Sequence, residues 1–415
     1  MSQQHSRYAI ATPPALAEGW TLQRLTPPSR LYGANGLRTG ADGRIYVAQV
    51  SGSQISAIDV DSGAIETISP MGGAIVAPDD LVFDPAGNLY VTEITEGRVS
   101  MMEPNGRVRV LRGDIPCANP ITFHNGRLFA GECRPGGRIM ELDLNGGAPK
   151  ILLEDVPMPN AMEVGPDGML YFPVMAANQI WRIDPAGGKP EVVASDLGVP
   201  DAVKFDAEGF IVSTQVGSGQ VLRIDPRTGE RTVLADIAPG LDNLTFVGER
   251  LFVSSISGQV NEIVAPGQVR PLVPDGFNWP LGLAMTEDGA LFIADGGFTY
   301  TLREGGTPQT AGMFFTPNYP GYIRGVAAAG AGEFVVTTAN GDVARFWPAR
   351  FESQVLASGF EQLYGVAIAP GGTVIVADKG TGLLEALRGD ERETLASGLR
   401  DPSGVAITAD GTVLV

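Results

Sequence analysis

The sequence repeats one unit along almost its whole length. One copy runs from Asp79 to Glu93 and contains a short apolar strand, a turn rich in Asp, Pro, Gly and Asn, and a second strand that ends on a carboxylate. Successive copies begin 39 to 44 residues apart, as subtraction of neighbouring positions gives, at Asn35, Asp79, Asn119, Asn160, Asp201, Asp242, Leu281, Arg324, Tyr364 and Ser403. This period is typical of the blades of a β-propeller.

The repeat predicts an all-β fold in which residues 1–415 form a single β-propeller domain of about ten four-stranded blades. Residues 8–11 and 20–25 look like two outer strands without a preceding hairpin, whereas residues 402–415 look like a hairpin without outer strands. We therefore predict that the two chain ends share the last blade and close the ring. Residues 1–7 are predicted to be a disordered tail.

The charge balance limits the partners. The 29 basic and 47 acidic residues give a net charge of −18, which disfavours nucleic acid and anionic membranes and suits cations. The N-terminal residues lack the apolar core of a signal peptide, and no apolar run approaches the roughly 18 residues of a membrane span. We predict a cytoplasmic protein with a small-molecule substrate; the sequence does not indicate its oligomeric state.

Few histidines and cysteines are present. His5 lies in the tail and His124 in a hairpin turn at the expected bottom rim, so Ser-His-Asp and Cys-His catalysis and a histidine-ligated zinc site are excluded. Cys117 and Cys133 are predicted to be neighbours across a hairpin, which leaves open a disulfide, a redox-sensitive pair or two reduced thiols. The chemistry must therefore use carboxylates, amides and a metal ion, with Tyr and Arg as further options.

Oxygen-bearing side chains concentrate at one rim of the predicted ring, which we call the top. The position before the first strand of each repeat is Asn or Asp in the first six repeats and not in the last four. The second strands end on Gln49, Glu93, Glu132, Val174, Thr214, Ser255, Asp295, Thr338 and Asp378. Several oxygen donors at one mouth predict a site for a hard cation. The alternative is that each Asp or Asn caps its own turn.

Aromatic residues mark the other part of this rim. They are Phe277, Trp279, Phe298, Tyr300, Tyr319, Tyr322 and Tyr364. They would either plug a wide channel or bind a ligand with an apolar or aromatic body. In the second case Arg324 would hold an anionic group or a developing negative charge.

The channel itself has a predicted ion pair. Glu163 and Lys204 occupy the fourth position of the first strand in adjacent repeats, at equal depth. The pair is predicted to join two blades, and the alternative is that Glu163 acts as a base.

The hairpins resemble a known family. Asn35-Gly36-Leu37 with Ile45-Tyr46-Val47-Ala48, and Leu291-Phe292-Ile293-Ala294-Asp295, are similar to blades of the senescence marker protein/gluconolactonase superfamily and its NHL-repeat, paraoxonase and streptogramin lyase relatives. The resemblance implies a propeller with one divalent metal ion, often calcium, at the top of the channel, and enzymes that open lactones or esters. By position, Asn160, Asp201, Asp242 and Asn243 resemble the metal ligands, Asn35 fits the Asn-Gly pattern, and Asp295 fits the acid that ends a second strand.

We therefore predict a metal-dependent hydrolase of a lactone or ester with an apolar or aromatic portion. The predicted site has three parts: metal ligands Glu93, Asn119, Asn160, Asp201, Asp242 and Asn243; catalytic residues Asp242 and Glu132; and substrate-binding residues Asn35, Trp279, Asp295, Tyr322, Arg324 and Tyr364. The ion would be Ca²⁺, with Mg²⁺, Mn²⁺ or Zn²⁺ as alternatives. The alternative functions are a metal-assisted lyase or isomerase and a non-catalytic binding scaffold.

Overall fold

The computed structural model describes residues 14–26, 29–274 and 276–415. Its internal contacts divide the chain into two compact units. The first unit contains the described residues between 29 and 276 together with 14–20, and the second contains 277–415 together with 21–26. Regular structure in both units is almost entirely antiparallel β-sheet, which confirms the predicted all-β propeller of four-stranded blades. The described part of the chain has no helix with the length and apolar character to span a membrane.

The first unit contains six four-stranded sheets in chain order, which we number blades 1 to 6. Blades 1 to 3 consist of β1 (Leu37–Thr39), β2 (Ile45–Gln49), β3 (Gln54–Ile58), β4 (Ile65–Ser69), β5 (Pro78–Phe83), β6 (Leu89–Glu93), β7 (Arg98–Met102), β8 (Val108–Arg112), β9 (Ala118–His124), β10 (Arg127–Glu132), β11 (Gly137–Leu142) and β12 (Lys150–Val156). Blades 4 to 6 consist of β13 (Glu163–Val164), β14 (Leu170–Val174), β15 (Gln179–Ile183), β16 (Glu191–Ala194), β17 (Pro200–Phe205), β18 (Ile211–Gln215), β19 (Gln220–Ile224), β20 (Arg231–Asp236), β21 (Leu241–Val247), β22 (Arg250–Ser255), β23 (Val260–Ala265) and β24 (Gln268–Val273). A 3₁₀ turn, Met175–Ala177, follows β14.

Each sheet follows the order of the sequence because short turns join its strands. In blade 2 the Asp84 carboxylate accepts the N–H groups of Ala86 and Asn88, both at 2.9 Å, and so closes the turn between β5 and β6. Gly87 completes this turn at a φ of 84°, a conformation that side chains with a Cβ rarely adopt. The alternating apolar residues of these hairpins pack between successive blades.

The first unit closes on itself after six blades. β1 of blade 1 lies beside β21 of blade 6 as well as beside β5 of blade 2. The Ser254 hydroxyl donates to the Asn35 carbonyl oxygen at 2.6 Å, and the Ala34 N–H donates to the Ser255 carbonyl oxygen at 3.1 Å. A buried apolar cluster with Leu37 and Phe252 fills this junction. The ring therefore closes by packing of two complete blades and not by a shared sheet.

The second unit contains three four-stranded sheets and one two-stranded sheet. These are formed by β25 (Pro280–Met285), β26 (Leu291–Asp295), β27 (Phe298–Leu302), β28 (Gln309–Met313), β29 (Ile323–Gly330), β30 (Glu333–Thr338), β31 (Val343–Trp347), β32 (Glu352–Ala357), β33 (Leu363–Ile368), β34 (Val374–Asp378), β35 (Leu383–Arg388), β36 (Glu391–Ala396), β37 (Ala406–Ile407) and β38 (Val413–Leu414). A 3₁₀ turn, Pro348–Arg350, follows β31. The innermost strands β25, β29, β33 and β37 lie side by side in series.

The predicted closure of one ten-blade ring through the chain ends is wrong. The ten repeats are divided into a ring of six and a series of four, because β1 already has β21 as its neighbour. Residues 20–25 form no strand and are exposed, so they do not supply an outer strand. The other proposed strand, residues 8–11, and the predicted tail, residues 1–7, lie outside the described residues. That residues 1–415 behave as one domain stays a prediction.

Candidate functional site

Six buried polar side chains form a circle at one mouth of the six-bladed ring, one from each blade. We call this set the mouth circle, and its members are Asn35, Asp79, Asn119, Asn160, Asp201 and Asp242. Each lies within three residues of the first residue of the innermost strand of its blade. The run of six Asn or Asp positions in the sequence therefore corresponds to one complete turn of the ring.

Hydroxyl groups hold the mouth circle in position from the neighbouring blades. The Thr92 hydroxyl donates to the Asn119 carbonyl oxygen at 2.8 Å, and the Thr214 hydroxyl donates to the Asp242 carbonyl oxygen. Ser254 makes the equivalent bond to Asn35. Each hydroxyl lies one residue before the end of the second strand of its blade. Thr92 and Ser254 were not predicted, and Thr214 was predicted to end its strand, which in fact ends at Gln215. A recurring Ser or Thr at this position was a visible signal.

The amide side chains of the circle are oriented by specific partners. Asn35 Nδ2 donates to Asp242 Oδ2 at 3.0 Å, while Asn35 Oδ1 accepts the Val50 N–H at 3.1 Å. Asn160 Oδ1 accepts the Ala161 N–H at 2.8 Å, and Asn160 Nδ2 lies 3.1 Å from the Met175 sulfur. These contacts fix which end of each amide is an acceptor.

Three aspartates of the circle share a buried environment that disfavours their charged forms. Burial raises the pKa of Asp79 well above its ordinary value, and the charges of Asp242 and Asp80 raise it further. Burial, followed by the charges of Asp242, Asp79 and Asp80, has the same effect on the pKa of Asp201. Burial raises the pKa of Asp242 to about 7, against the opposing effect of the hydrogen bond from Asn35.

No side-chain hydrogen bond or ion pair within the described ranges reaches the carboxylates of Asp79 and Asp201. The three aspartates therefore influence one another's pKa values and have no cation that compensates their charges. Such a group is stabilised either by protonation or by a bound cation.

Asp80 and Asn243 lie next to the mouth circle but have structural partners. Asp80 Oδ1 accepts the Leu81 N–H at 2.9 Å and the Asn243 amide at 3.3 Å, and Asp80 Oδ2 accepts the Ile121 N–H at 3.2 Å. Burial raises the pKa of Asp80, while the positive charges of Arg38 and Lys204 oppose this shift. Asn243, a predicted metal ligand, therefore lies in a hydrogen-bonded layer that supports the circle.

A charged triad crosses the channel. Glu163 Oε2 accepts hydrogen bonds from Lys204 Nζ and Arg38 Nη1, both at 2.8 Å. The predicted ion pair between Glu163 and Lys204 is therefore confirmed. The contact from Arg38 was not predicted. Arg38 belongs to blade 1 and Glu163 to blade 4, which are opposite blades in a ring of six. Although burial alone would raise the pKa of Glu163, the charges of Lys204 and Arg38 lower it to about 2.

Glu93 and Glu132 do not join the mouth circle. The Glu93 carboxylate pairs with the Arg98 guanidinium and accepts the Val76 N–H at 2.6 Å. The Glu132 carboxylate is held by Arg134 at 2.8 Å and by Arg138. Both oxygens of each buried carboxylate are therefore engaged within its own blade, and we leave both residues out of the proposed site.

The carboxylates that end two of the second strands of the second unit accept hydrogen bonds from backbone N–H groups of the loops before the first strands. Asp295 accepts the N–H groups of Asn278, at 2.9 Å, and of Trp279. Asp378 accepts those of Glu361 at 3.0 Å and Gln362 at 2.8 Å. The two sets of oxygen donors that the sequence placed on one rim thus have different roles: one set lines the mouth, and the other holds loops.

The remaining predicted substrate-binding residues belong to the second unit. These are Trp279, Asp295, Tyr322, Arg324 and Tyr364. Asn35 belongs to the first unit, so the predicted set does not assemble within either unit. Phe298 and Tyr300, from the same aromatic group, are buried in the second unit, whereas Trp279 and Tyr322 are 50% and 56% exposed.

A cysteine lies beside the mouth circle. The Cys133 N–H donates to the Cys117 carbonyl oxygen at 2.9 Å, which confirms that the two cysteines are neighbours, and both thiols are free. Burial, followed by the charges of Asp201 and Asp79, raises the pKa of the Cys133 thiol. The thiol form of Cys133 is therefore favoured, and of the sequence alternatives the structure has two free thiols.

The chemistry of the mouth circle fits a hard cation. Its donors are carboxylate and amide oxygens, and its three aspartates have no cationic partner in their immediate layer. Within the described ranges, however, no three His, Cys, Asp or Glu side chains are close enough together to hold a metal ion.

This arrangement predicts an unusual pH dependence of stability. A buried Asp with a folded pKa near 7 and an unfolded pKa near 3.8 favours folding below pH 3.8 and destabilises the fold progressively as the pH rises to 7. Without divalent ions, we expect the Asp242→Asn variant to have a higher free energy of unfolding than the parent protein at pH 7.5, by roughly a few kcal/mol, and therefore a higher melting temperature. This difference should vanish at pH 4.

Thermal melting of both proteins in EDTA from pH 4 to pH 8 measures this gap. A gap that is constant with pH, or one that is largest at pH 4, would contradict the assignment of Asp242 as an uncompensated buried acid.

The sequence of the first unit decides the family. Residues 18–257 match the family model described as SMP-30/Gluconolactonase/LRE-like region. The chain belongs to the SMP-30/gluconolactonase/LRE-like family. The match covers more than half of the chain, runs through the six-bladed ring and ends in blade 6, shortly after β22. The family resemblance predicted from the hairpins is thereby confirmed.

Solved structures are similar to this family member at low identity. A streptogramin B lyase is 19% identical, with 63% of this chain and 90% of that chain covered and a TM-score of 0.48. A virginiamycin B lyase from Staphylococcus aureus is 18% identical (64% and 92% covered, TM-score 0.47), and a calcium-binding protein, regucalcin, from Agrobacterium tumefaciens is 20% identical (59% and 94% covered, TM-score 0.47). No sequence match was found among curated proteins. Likeness at this level transfers neither an activity nor a metal ion to this family member.

Proposed function

We propose that the protein is a hydrolase that opens a lactone or an ester at the mouth circle. The observation that carries the proposal is the group of three buried aspartates, Asp79, Asp201 and Asp242, which lack a compensating cation in a member of the SMP-30/gluconolactonase/LRE-like family. A site of this kind is suited to a divalent ion and to proton transfer through a carboxylate.

In this proposal the ion would be held by Asp79 and Asp201 with the amide oxygens of Asn119 and Asn160. The all-oxygen donor set favours Ca²⁺ or Mg²⁺ over Zn²⁺. When bound, such an ion polarises a carbonyl group and lowers the pKa of water. Asp79 takes the place of Glu93 among the predicted ligands, because Glu93 is engaged by Arg98.

Asp242 is retained as the proton acceptor. Its pKa of about 7 suits proton uptake near neutral pH. Asn35 holds Asp242 Oδ2 at 3.0 Å and so fixes the plane of the carboxylate. Glu132, the other predicted catalytic residue, is held by two arginines and takes no part.

The proposal does not include an aromatic portion in the substrate. The exposed aromatic residues that indicated one, Trp279 and Tyr322, belong to the second unit. The proposed substrate is therefore defined only by the carbonyl group that is attacked.

The test is turnover of D-glucono-1,5-lactone and of phenyl acetate in ¹⁸O-labelled water, with Ca²⁺, Mg²⁺, Mn²⁺ or Zn²⁺ added to protein treated with a chelator. We expect turnover above the uncatalysed rate with at least one ion, and one labelled oxygen in the acid product. Unlabelled product would indicate a lyase or isomerase. Absence of turnover with every ion would favour a binding scaffold.

A further inference from the structure

We propose that the second unit carries its own binding site, for a small aromatic carboxylate, on the rim formed by Trp279, Tyr322, Arg324 and Tyr364. This site is separate from the proposed hydrolase function, and the mouth circle contributes no residue to it.

Arg324 and Tyr364 occupy the positions in the second unit that correspond to the mouth circle. Arg324 precedes Gly325 at the start of β29, just as Asn35 precedes Gly36 before β1. The Thr337 hydroxyl donates to the Tyr364 carbonyl oxygen at 2.6 Å, as the Ser254 hydroxyl does to Asn35. The same blade geometry thus presents an arginine and a tyrosine where the ring presents Asn and Asp.

The Arg324 guanidinium has no carboxylate partner within 4 Å among the described residues. It lies 4.9 Å from the centre of the Tyr364 ring, and its polar contact is a 3.5 Å bond to the Leu363 carbonyl oxygen. A half-buried guanidinium without an acid is unusual in a chain with a net charge of −18. Its planar N–H groups are suited to two parallel hydrogen bonds with a carboxylate.

The carboxylates close to this rim already have other partners. Lys379 Nζ lies 5.9 Å from the centre of the Tyr364 ring and 4.0 Å from the exposed Asp401 carboxylate. The neighbouring Asp378 carboxylate is already occupied by N–H donors of Glu361, Gln362 and Gly380. The Arg324 guanidinium therefore remains available for the carboxylate of a ligand.

Tyr322, two residues before Arg324 in the sequence, and Trp279 provide a surface for an aromatic body. A Cβ added to Gly296 would lie 3.7 Å from both the Trp279 and the Tyr322 side chains, so these two side chains flank the same glycine. Phe314 stacks behind Tyr322, with ring centres 6.0 Å apart and planes 21° apart. Tyr322 is thus supported on one side and still more than half exposed. Exposed, supported rings stack well on a planar ligand.

The test is calorimetric titration of the full chain in EDTA with benzoate, and with benzamide as the uncharged analogue. We expect saturable binding of benzoate and an affinity for benzamide that is lower by roughly tenfold or more. The Arg324→Met variant should lose roughly tenfold or more of the affinity for benzoate. Arg303→Met, which removes an exposed arginine from another part of the same unit, is the matched control and should bind normally. Tyr322→Leu should weaken binding without abolishing it.

The proposal is overturned if benzoate shows no saturable binding, if benzamide binds equally well, or if Arg303→Met and Arg324→Met have equal effects. Asp201→Asn separates this site from the mouth circle. Loss of benzoate binding in Asp201→Asn would place the ligand at the ring and overturn the second site, whereas unchanged binding supports it independently of whether the ring hydrolyses anything.

Discussion

Asp201→Asn is expected to reduce hydrolysis by about 10²- to 10⁴-fold and, at the same time, to make the ion-free protein more stable. Activity falls because the substitution removes one of the charged oxygens proposed to hold the cation. Stability rises because Asp201 is buried close to Asp79 and Asp242 without a compensating charge, and a neutral amide relieves this repulsion. A residue that served only the fold would not show this opposition.

The measurement combines turnover of the lactone with melting curves in EDTA and in millimolar Ca²⁺. Ca²⁺ should raise the melting temperature of the parent protein and have much less effect on Asp201→Asn. Asp236→Asn is the matched control because Asp236 is an exposed residue of the same blade, and we expect it to retain both activity and the response to Ca²⁺. Full activity in Asp201→Asn, or a lower melting temperature in EDTA, would contradict the proposed role.

Glu163→Gln is expected to destabilise the first unit by about 3–5 kcal/mol. The substitution removes the carboxylate that holds Arg38 and Lys204, both at 2.8 Å, and leaves two buried cations in one channel. For a unit of this size the change corresponds to a fall of roughly 10 °C in melting temperature. The large effect is expected because the removed charge has two partners, whose side chains are only 13% and 8% exposed.

Denaturant unfolding of Glu163→Gln, with Glu208→Gln as the control, measures this effect. Glu208 also pairs with an arginine, but its side chain is 75% exposed, so we expect its loss to cost less than about 1 kcal/mol. Adding Lys204→Met to Glu163→Gln should recover part of the lost stability. Equal effects of the two single variants would show that the triad does not stabilise the channel.

The same triad makes the stability of the first unit depend on pH under acidic conditions. The folded pKa of Glu163 is about 2 and its ordinary value is 4.5, so its contribution to stability is fully present above pH 4.5 and is lost as the pH falls towards 2. The shift corresponds to roughly 3 kcal/mol. The acid-dependent loss should therefore be smaller in Glu163→Gln than in the parent protein.

The blade pattern could be predicted because each repeat encodes its own hairpins and turns. The number of blades in the ring could not, because the repeats of both units have the same strand and turn signals. The residue before the recurring first strand did change, from Asp242 to Leu281, where the units divide. The sequence analysis interpreted this change as two arcs of one rim, although it marked the end of a closed circle.

Contacts between opposite blades of the ring could not be predicted from the sequence either. Glu163 and Lys204 were paired because adjacent repeats must be neighbours in any propeller. Arg38 reaches Glu163 only because six blades make a narrow channel, and its distance along the chain gave no indication of this contact. The sequence analysis did not take into account that Arg98 pairs with Glu93, a predicted ligand, and that Arg138 pairs with Glu132, a predicted catalytic residue.

The junction between blades 1 and 6 has a consequence for how the mouth circle can move. Here the innermost strands β1 and β21 meet, and here Asn35 from blade 1 also holds Asp242 from blade 6. Two complete blades that are held by packing and a few hydrogen bonds can separate without unpairing any sheet. A small opening of this seam would directly lengthen the bond between Asn35 and Asp242. Any separation of these two blades would therefore change the orientation of the carboxylate that is proposed to accept the proton.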